Sequence, residues 1–179
     1  HPSFPGYLAG AFGAVSKAVV FSLEKAGVAK PEICGKDKRS MGQGSKRSPA
    51  CFSTSNHWEI TVKGKKLAGS AQRRLNGAFL QHGSILLDWD PGLAHSLLRY
   101  SSESEQAQGL KTLISGTLTL REILLAKPEW GELAHCFADG FQKTFPGLWK
   151  QETLSSLETG LVKEYLGESE QVSSVKDLG

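Results

Sequence analysis

The chain has 179 residues, 39% hydrophobic and 22% charged, with 21 basic and 18 acidic side chains and a net charge of +3. That length supports one domain with a sizeable core and is too short for two comfortable ones, while so small a basic surplus is no argument for nucleic acid. The cysteines Cys34, Cys51 and Cys136 form an odd set with no CxxC pair, which argues against a disulfide framework or a cysteine zinc site and for a reducing, cytoplasmic setting.

In chain order, Leu8, Phe12, Val15, Val19, Ser22 and Ala26 recur at helical spacing between Gly6 and Ala26, and Gly27 supplies a stop. A short strand is expected at "PEIC", residues 31–34. The Gly- and Ser-rich stretch 35–49 carries five basic residues without periodicity and reads as a loop. In "HWEITVKG" Trp58, Ile60 and Val62 alternate with His57, Glu59 and Thr61, the pattern of a half-buried strand. Lys63-Gly64-Lys65 is a tight turn into "KKLAGSAQRR", and Asn76-Gly77 is a hairpin turn into "AFLQHGSILLDW". Helices follow. One starts at Pro91 with Asp90 as its cap and runs to Tyr100; a short one covers Leu118–Leu125. Another runs from Pro128 to Phe145, with Trp130, Leu133, Phe137, Phe141 and Phe145 down one face. The last has the stripe Leu154, Leu157, Leu161 and Tyr165 and ends at Gly167, leaving 168–179 as a polar tail that frays. Strands followed by helices predict an α+β domain over 1–167, a mainly antiparallel sheet flanked by helices. No apolar run approaches the length needed to cross a bilayer, and the opening residues do not read as a signal peptide.

Chemistry-bearing residues concentrate between Ala50 and Asp90. Cys51 stands among Ser48, Ser53, Thr54 and Ser55, where little apolar surface is available to bury it, and Lys46 and Arg47 favour its thiolate. It is either a nucleophile or, as most free cysteines are, a small packed hydrophobe. Cys136 and Cys34 read as packing residues. Lys66 precedes Gly69-Ser70-Ala71, a strand segment with almost no side-chain volume. Two readings stand there: a groove that admits a ligand with an ammonium at its mouth, or tight packing of a helix on the sheet. No Gly-x-Ser-x-Gly elbow supports a triad from Ser84, His82 and Asp88. The histidines lack metal-ligand spacing, and Gly42-Gln43-Gly44 lacks the third glycine of a dinucleotide site.

"GKKLAGSAQRRLNGAFLQHGSILLD", Gly64 to Asp88, resembles the Gly-(Arg/Lys)-Lys-hydrophobic-small-Gly-Ser-Ala-Gln…Leu-Gln-His-Gly-Ser segment of the octanoyltransferase and lipoate–protein ligase family, whose fold is shared with biotin–protein ligase. "ACFSTSNHWEI", Ala50 to Ile60, is similar to the Ala-Cys-Phe segment of its cysteine-dependent octanoyltransferase branch. The resemblance implies a partial biotin/lipoate ligase-like catalytic domain. By the same resemblance Cys51 takes an octanoyl group as a thioester and Lys66 contacts the acyl carbonyl. Gly69, Ser70 and Ala71, with Gln72, line the acyl tunnel, and Gln81, His82 and Gly83 form the strand beside it. The implied donor is octanoyl-acyl carrier protein, and the acceptor a lysine of a lipoyl domain, in a glycine cleavage H protein or a dehydrogenase E2 subunit. No cofactor, metal, nucleic acid or membrane is implied. An ATP-dependent lipoate–protein ligase and a non-catalytic module that binds lipoyl domains or carrier protein are the alternatives. The family's Arg-Arg…Gly-Gly-Gly…His segment is missing from the chain, which begins at His1 and has Met41 as its single methionine. A longer protein, of which this is the C-terminal portion, is therefore expected.

Overall fold

In the computed structural model, which describes residues 8–35, 58–75 and 78–176, the chain opens with helix α1, Leu8–Lys25. Its most deeply buried positions are Ala11, Ala18, Ser22 and Leu23, of which only Ser22 belongs to the predicted stripe; Phe12, Val15, Val19 and Ala26 are only half-buried. The reason is the partner. Helix α5, Trp130–Thr144, crosses α1 at Gly140, where a Cβ would lie 2.2 Å from Ser22 Oγ and 2.7 Å from the Ala18 carbonyl oxygen. Backbones this close leave room for Ala, Ser and Gly only, so the small residues take the contact line and the larger ones flank it.

Four strands form one antiparallel sheet in the order β1 (Glu32–Ile33), β2 (Ile60–Val62), β3 (Lys65–Leu75) and β4 (Ala78–Ile85). The turn between β2 and β3 is as tight as the sequence predicts. Lys63 and Gly64 both take positive φ, 50° and 76°, the mirror-image turn whose twist matches that of the strands it joins. Residues 76 and 77 lie outside the described residues, but β3 and β4 pair from Ala68↔Ile85 to Leu75↔Ala78, as a hairpin there requires. Between Ile60↔Ala68 and Thr61↔Lys66 the register slips, because β3 carries Leu67 as an extra residue. Such a bulge re-aims the side chains around it.

The predicted alternation of β2 does not hold. Ile60, Thr61 and Val62 are all buried, as is Glu59. A strand flanked on both edges and covered on both faces has no solvent side, so its polar residues must find partners inside. The core itself gathers Leu23, Val28, Ile60, Val62, Leu67, Ala68, Leu120 and Leu133.

Asp90 caps α2, Pro91–Ser96, by accepting from the Gly92 and Leu93 amides at 2.7 and 3.2 Å. That helix ends before the predicted Tyr100. Helix α3, Glu103–Gly116, was not among the expected elements; Leu113 alone is buried along it. Its start is marked by Ser102, whose hydroxyl accepts from the Glu105 amide. Helix α4, Leu120–Leu124, opens on a capping box between Thr119 and Glu122. The segment leading into α4 stitches two parts of the sheet. Leu118 N donates to Lys66 O at 3.0 Å, and Leu120 N and Arg121 N donate to Leu86 O and Leu87 O at 2.8 and 3.0 Å. Leu133 on α5 and Phe145 just after it are buried, but Trp130 is 72% exposed and not part of the covered stripe.

Residues 148–179 form a second unit. Its helix α6, Ser156–Lys176, continues through Gly167 instead of ending there, so most of the predicted tail is helical. A capping interaction of Ser155 with Glu158 starts it and holds the Glu158 carboxyl below the usual range. Leu154, Leu157, Leu161 and Tyr165 are exposed. No helix among the described residues is long and apolar enough to cross a membrane.

Candidate functional site

A cavity of about 200 Å³ opens where α1, β2, the β3–β4 hairpin and α5 meet. Its apolar walls are Val15, Val19, Ile60, Ile85, Phe137 and Phe141, and its floor along β3 is Ala68, Gly69 and Ser70. Gln81, His82, Gly83 and Ser84 of β4 complete the rim. A hydrocarbon pocket of about 150 Å³ is already large enough to hold a benzene-sized apolar group.

Lys66 lies against this floor from behind. Its side chain is buried, 3% exposed, and Nζ donates to Glu59 Oε1 at 2.7 Å. Gly69 makes that possible. A Cβ at Gly69 would stand 2.9 Å from Lys66 Cε, 3.2 Å from Nζ and 3.4 Å from Glu59 Oε1. The small residue at 69 therefore does two things at once: it lines the cavity and admits a buried ammonium–carboxylate pair next to it. The Leu67 bulge, and the hydrogen bond from Leu118 N to Lys66 O, hold the lysine backbone in place.

Gly83 brings the two strands of the hairpin together, since a Cβ there would meet Gly69 O at 2.7 Å. Of the predicted residues, Gly69, Ser70, Gln81, His82 and Gly83 come together around the cavity, with Lys66 directly behind. Ala71 and Gln72 lie farther along the hairpin and do not line it; Gln72 Nε2 instead donates to Gln81 Oε1 at 2.8 Å across the strands. Cys51 lies outside the described residues, as does the basic stretch 36–49. Asp88 accepts from Arg121 Nη1 at 2.7 Å. Cys34 is buried and Cys136 half-buried. Among the described residues, no group of three or more His, Cys, Asp or Glu side chains is placed to hold a metal ion.

Sequence reasoning passed over Glu59, which the alternation of β2 had assigned to the solvent side. The available signal was an acid seven residues before the lysine across a two-residue turn, but its burial follows from the covered sheet, which no local pattern reports. Trp58, placed in the half-buried strand by the alternation, instead precedes β2. It is a non-glycine residue at φ +76°, and its ring lies on both the cavity wall and α1.

The lipoyl protein ligase A/B catalytic domain family matches residues 15–142. The octanoyltransferase LipM of Kyrpidia tusciae is 31% identical over 177 residues, covering 94% of this chain and 63% of that protein. The LipM octanoyltransferase of Brevibacillus brevis is 30% identical over 165 residues, 92% of this chain and 60% of that one. The structure of the bi-partite lipoate protein ligase of Thermoplasma acidophilum superposes with a TM-score of 0.62 at 18% identity, covering 86% of this chain and 51% of that chain, a likeness of fold. The chain belongs to the lipoyl protein ligase A/B catalytic domain family. It spans 63% and 60% of the lengths of the two LipM relatives.

Proposed function

We propose that this chain is the acyl-binding portion of an octanoyltransferase that lipoylation depends on, moving an octanoyl group from acyl carrier protein to a lysine of a lipoyl domain. The observation that carries the reading is the buried Lys66 ammonium set directly behind Gly69 on the wall of an apolar cavity. The naming of the relatives as octanoyltransferases supports it.

In this reading the octanoyl chain lies between Val15, Val19, Phe137 and Phe141, where each buried methylene contributes about 0.8 kcal/mol. The Cys51 thiolate adds to the thioester carbonyl, a carbon–sulfur bond forms, and the carrier's thiolate leaves. The acceptor amine then attacks the new thioester, an amide bond forms, the Cys51 thiolate leaves, and the amine gives up a proton. The first exchange replaces one thioester by another and is nearly isoenergetic, so it draws on no ATP. Lys66 supplies positive charge toward the oxyanion that develops in each addition, in a site where water does not screen it. Glu59 keeps the ammonium in position between turnovers. The acceptors are lipoyl domains of H protein or dehydrogenase E2 subunits, and the reaction is a cytoplasmic one. The basic stretch 36–49 favours acidic carrier and lipoyl domains through complementary charge.

The test is incubation of the chain with octanoyl-acyl carrier protein in the absence of ATP, followed by intact-mass measurement. The expected result is a mass increase of one octanoyl group that Cys51→Ser abolishes. Modification of a lipoyl domain only when ATP and free octanoate are supplied would select a ligase instead. Binding of the carrier or lipoyl domain with no acyl transfer, also after the longer protein is expressed, would leave a binding module.

A further inference from the structure

A second hollow shares Trp58 with the cavity already described. It is lined by Ala9, Gly10, Gly13 and Ala14 of α1, with Lys17 and Thr144 at its margins. Its volume is about 470 Å³, and it is more open than the first. Trp58 is the residue the two linings share among the described residues. The indole is thus a partition, with an apolar cavity on one side and a trough of small residues on the other.

The partition is held rather than incidental. Trp58 has a φ of +76°, a left-handed backbone that costs a bulky residue on the order of 1–3 kcal/mol and persists only when its surroundings enforce it. They do so from three sides. Trp58 N donates to Cys34 O at 3.1 Å, Ser16 Oγ donates to Trp58 O at 3.0 Å, and Gly13 leaves the ring its seat. A Cβ at Gly13 would stand 2.7 Å from Cζ3 and 3.0 Å from Cη2 of the indole. A ring anchored through its own backbone and seated on a helix glycine forms a fixed end wall.

We propose that Trp58 is the residue that sets how long an acyl chain the cavity accepts, by closing it off from the trough along α1. This rests on reading the cavity as the acyl site. An added methylene that finds apolar contact improves affinity about fourfold, and one that meets the indole gains nothing. Affinity for straight-chain acids therefore rises with length and then breaks at the length that reaches Trp58. With the ring removed, the next methylenes run on between Gly10, Gly13 and Ala14 and the rise continues.

The experiment is competition of saturated fatty acids from hexanoate to hexadecanoate against a fluorescent fatty acid on the wild-type chain, Trp58→Ala and Trp58→Phe. Near-ultraviolet circular dichroism and the melting temperature establish that each variant is folded. The expected result is a break in the wild type, displaced to longer acids by at least one methylene pair in Trp58→Ala, with about fourfold gained per further methylene until the new end is met. Trp58→Phe, which shortens the wall without removing it and perturbs packing least, is expected to break between the two. If the folded variants break at the wild-type length, Trp58 is not the end wall, although the cavity still binds acyl chains. If no acid of any length competes in the wild type, the acyl reading of the cavity falls and the role of Trp58 falls with it.

Discussion

Replacing Glu59 by Gln tests the ion pair on which the site is built. The carboxylate lies 2.7 Å from Lys66 Nζ, and the two side chains are only 6% and 3% exposed. Gln has nearly the same shape and keeps an oxygen, so packing is preserved while the negative charge is lost. Removing one partner from a buried pair takes away the other's counter-charge and costs about 3–5 kcal/mol, against about 0–1 kcal/mol for a pair on the surface. With a urea slope of about 2 kcal/mol per molar, the unfolding midpoint falls by roughly 1.5–2.5 M. Lys66→Met alone is expected to fall by a similar amount. The double variant is expected to recover most of the loss, because removing both charges also removes both desolvation costs. Urea unfolding of the four proteins, followed by tryptophan fluorescence, completes a double-mutant cycle with a coupling energy of at least about 2 kcal/mol. A midpoint for Glu59→Gln within about 0.3 M of wild type, or losses that simply add in the double variant, would refute the reasoning.

Lys66→Met, assayed for acyl transfer in buffer where it remains folded, is expected to lower the transfer rate by about 10²–10³-fold, the usual effect of removing one oxyanion donor; an unchanged rate would take Lys66 out of the chemistry. Gly140→Ala places a Cβ 2.2 Å from Ser22 Oγ and 2.7 Å from two backbone atoms of α1, so the helices must part. At about 1–3 kcal/mol for overpacking, the melting temperature drops by roughly 2–12 °C, and calorimetry showing no drop would contradict the close approach. Burial of the Tyr100 hydroxyl, with Glu105 nearby, raises its pKa above 10.0, and its Oη has no hydrogen-bond partner among the described residues. The unfolded chain ionises this tyrosine first, so its contribution to stability is complete below pH 10.0 and is lost as pH rises from there through the folded value. An absorbance titration in which one of the three tyrosines ionises late, and does so normally in urea, checks it.

Two readings that depend on neighbours alone held. The Lys63-Gly64 turn needs two residues at positive φ, and Asp90 followed by Pro91 is a helix start whose cap and first residue depend on neighbours alone. The grouping of Gly69 and Ser70 with Gln81, His82 and Gly83 was implied by the family resemblance, and it is the pairing of β3 with β4 that brings these residues together. Helix α3 was missed although Ala107, Leu110 and Ile114 stand at helical spacing after Ser102; of its apolar residues packing buries only Leu113.

The sequence by itself determined the family, the antiparallel hairpin and which residue types stand along it, because turn chemistry and strand pairing act between residues close in the chain. Tertiary structure alone decided that Glu59 and Thr61 are inside, that Lys66 is paired with Glu59 and lies behind Gly69, and that Trp58 lines two hollows. Each of these depends on α1 and α5 covering the sheet and on one extra residue, Leu67, shifting the register. Burial is a property of what lies across a layer, and no stretch of neighbouring residues encodes what will be packed on the other side.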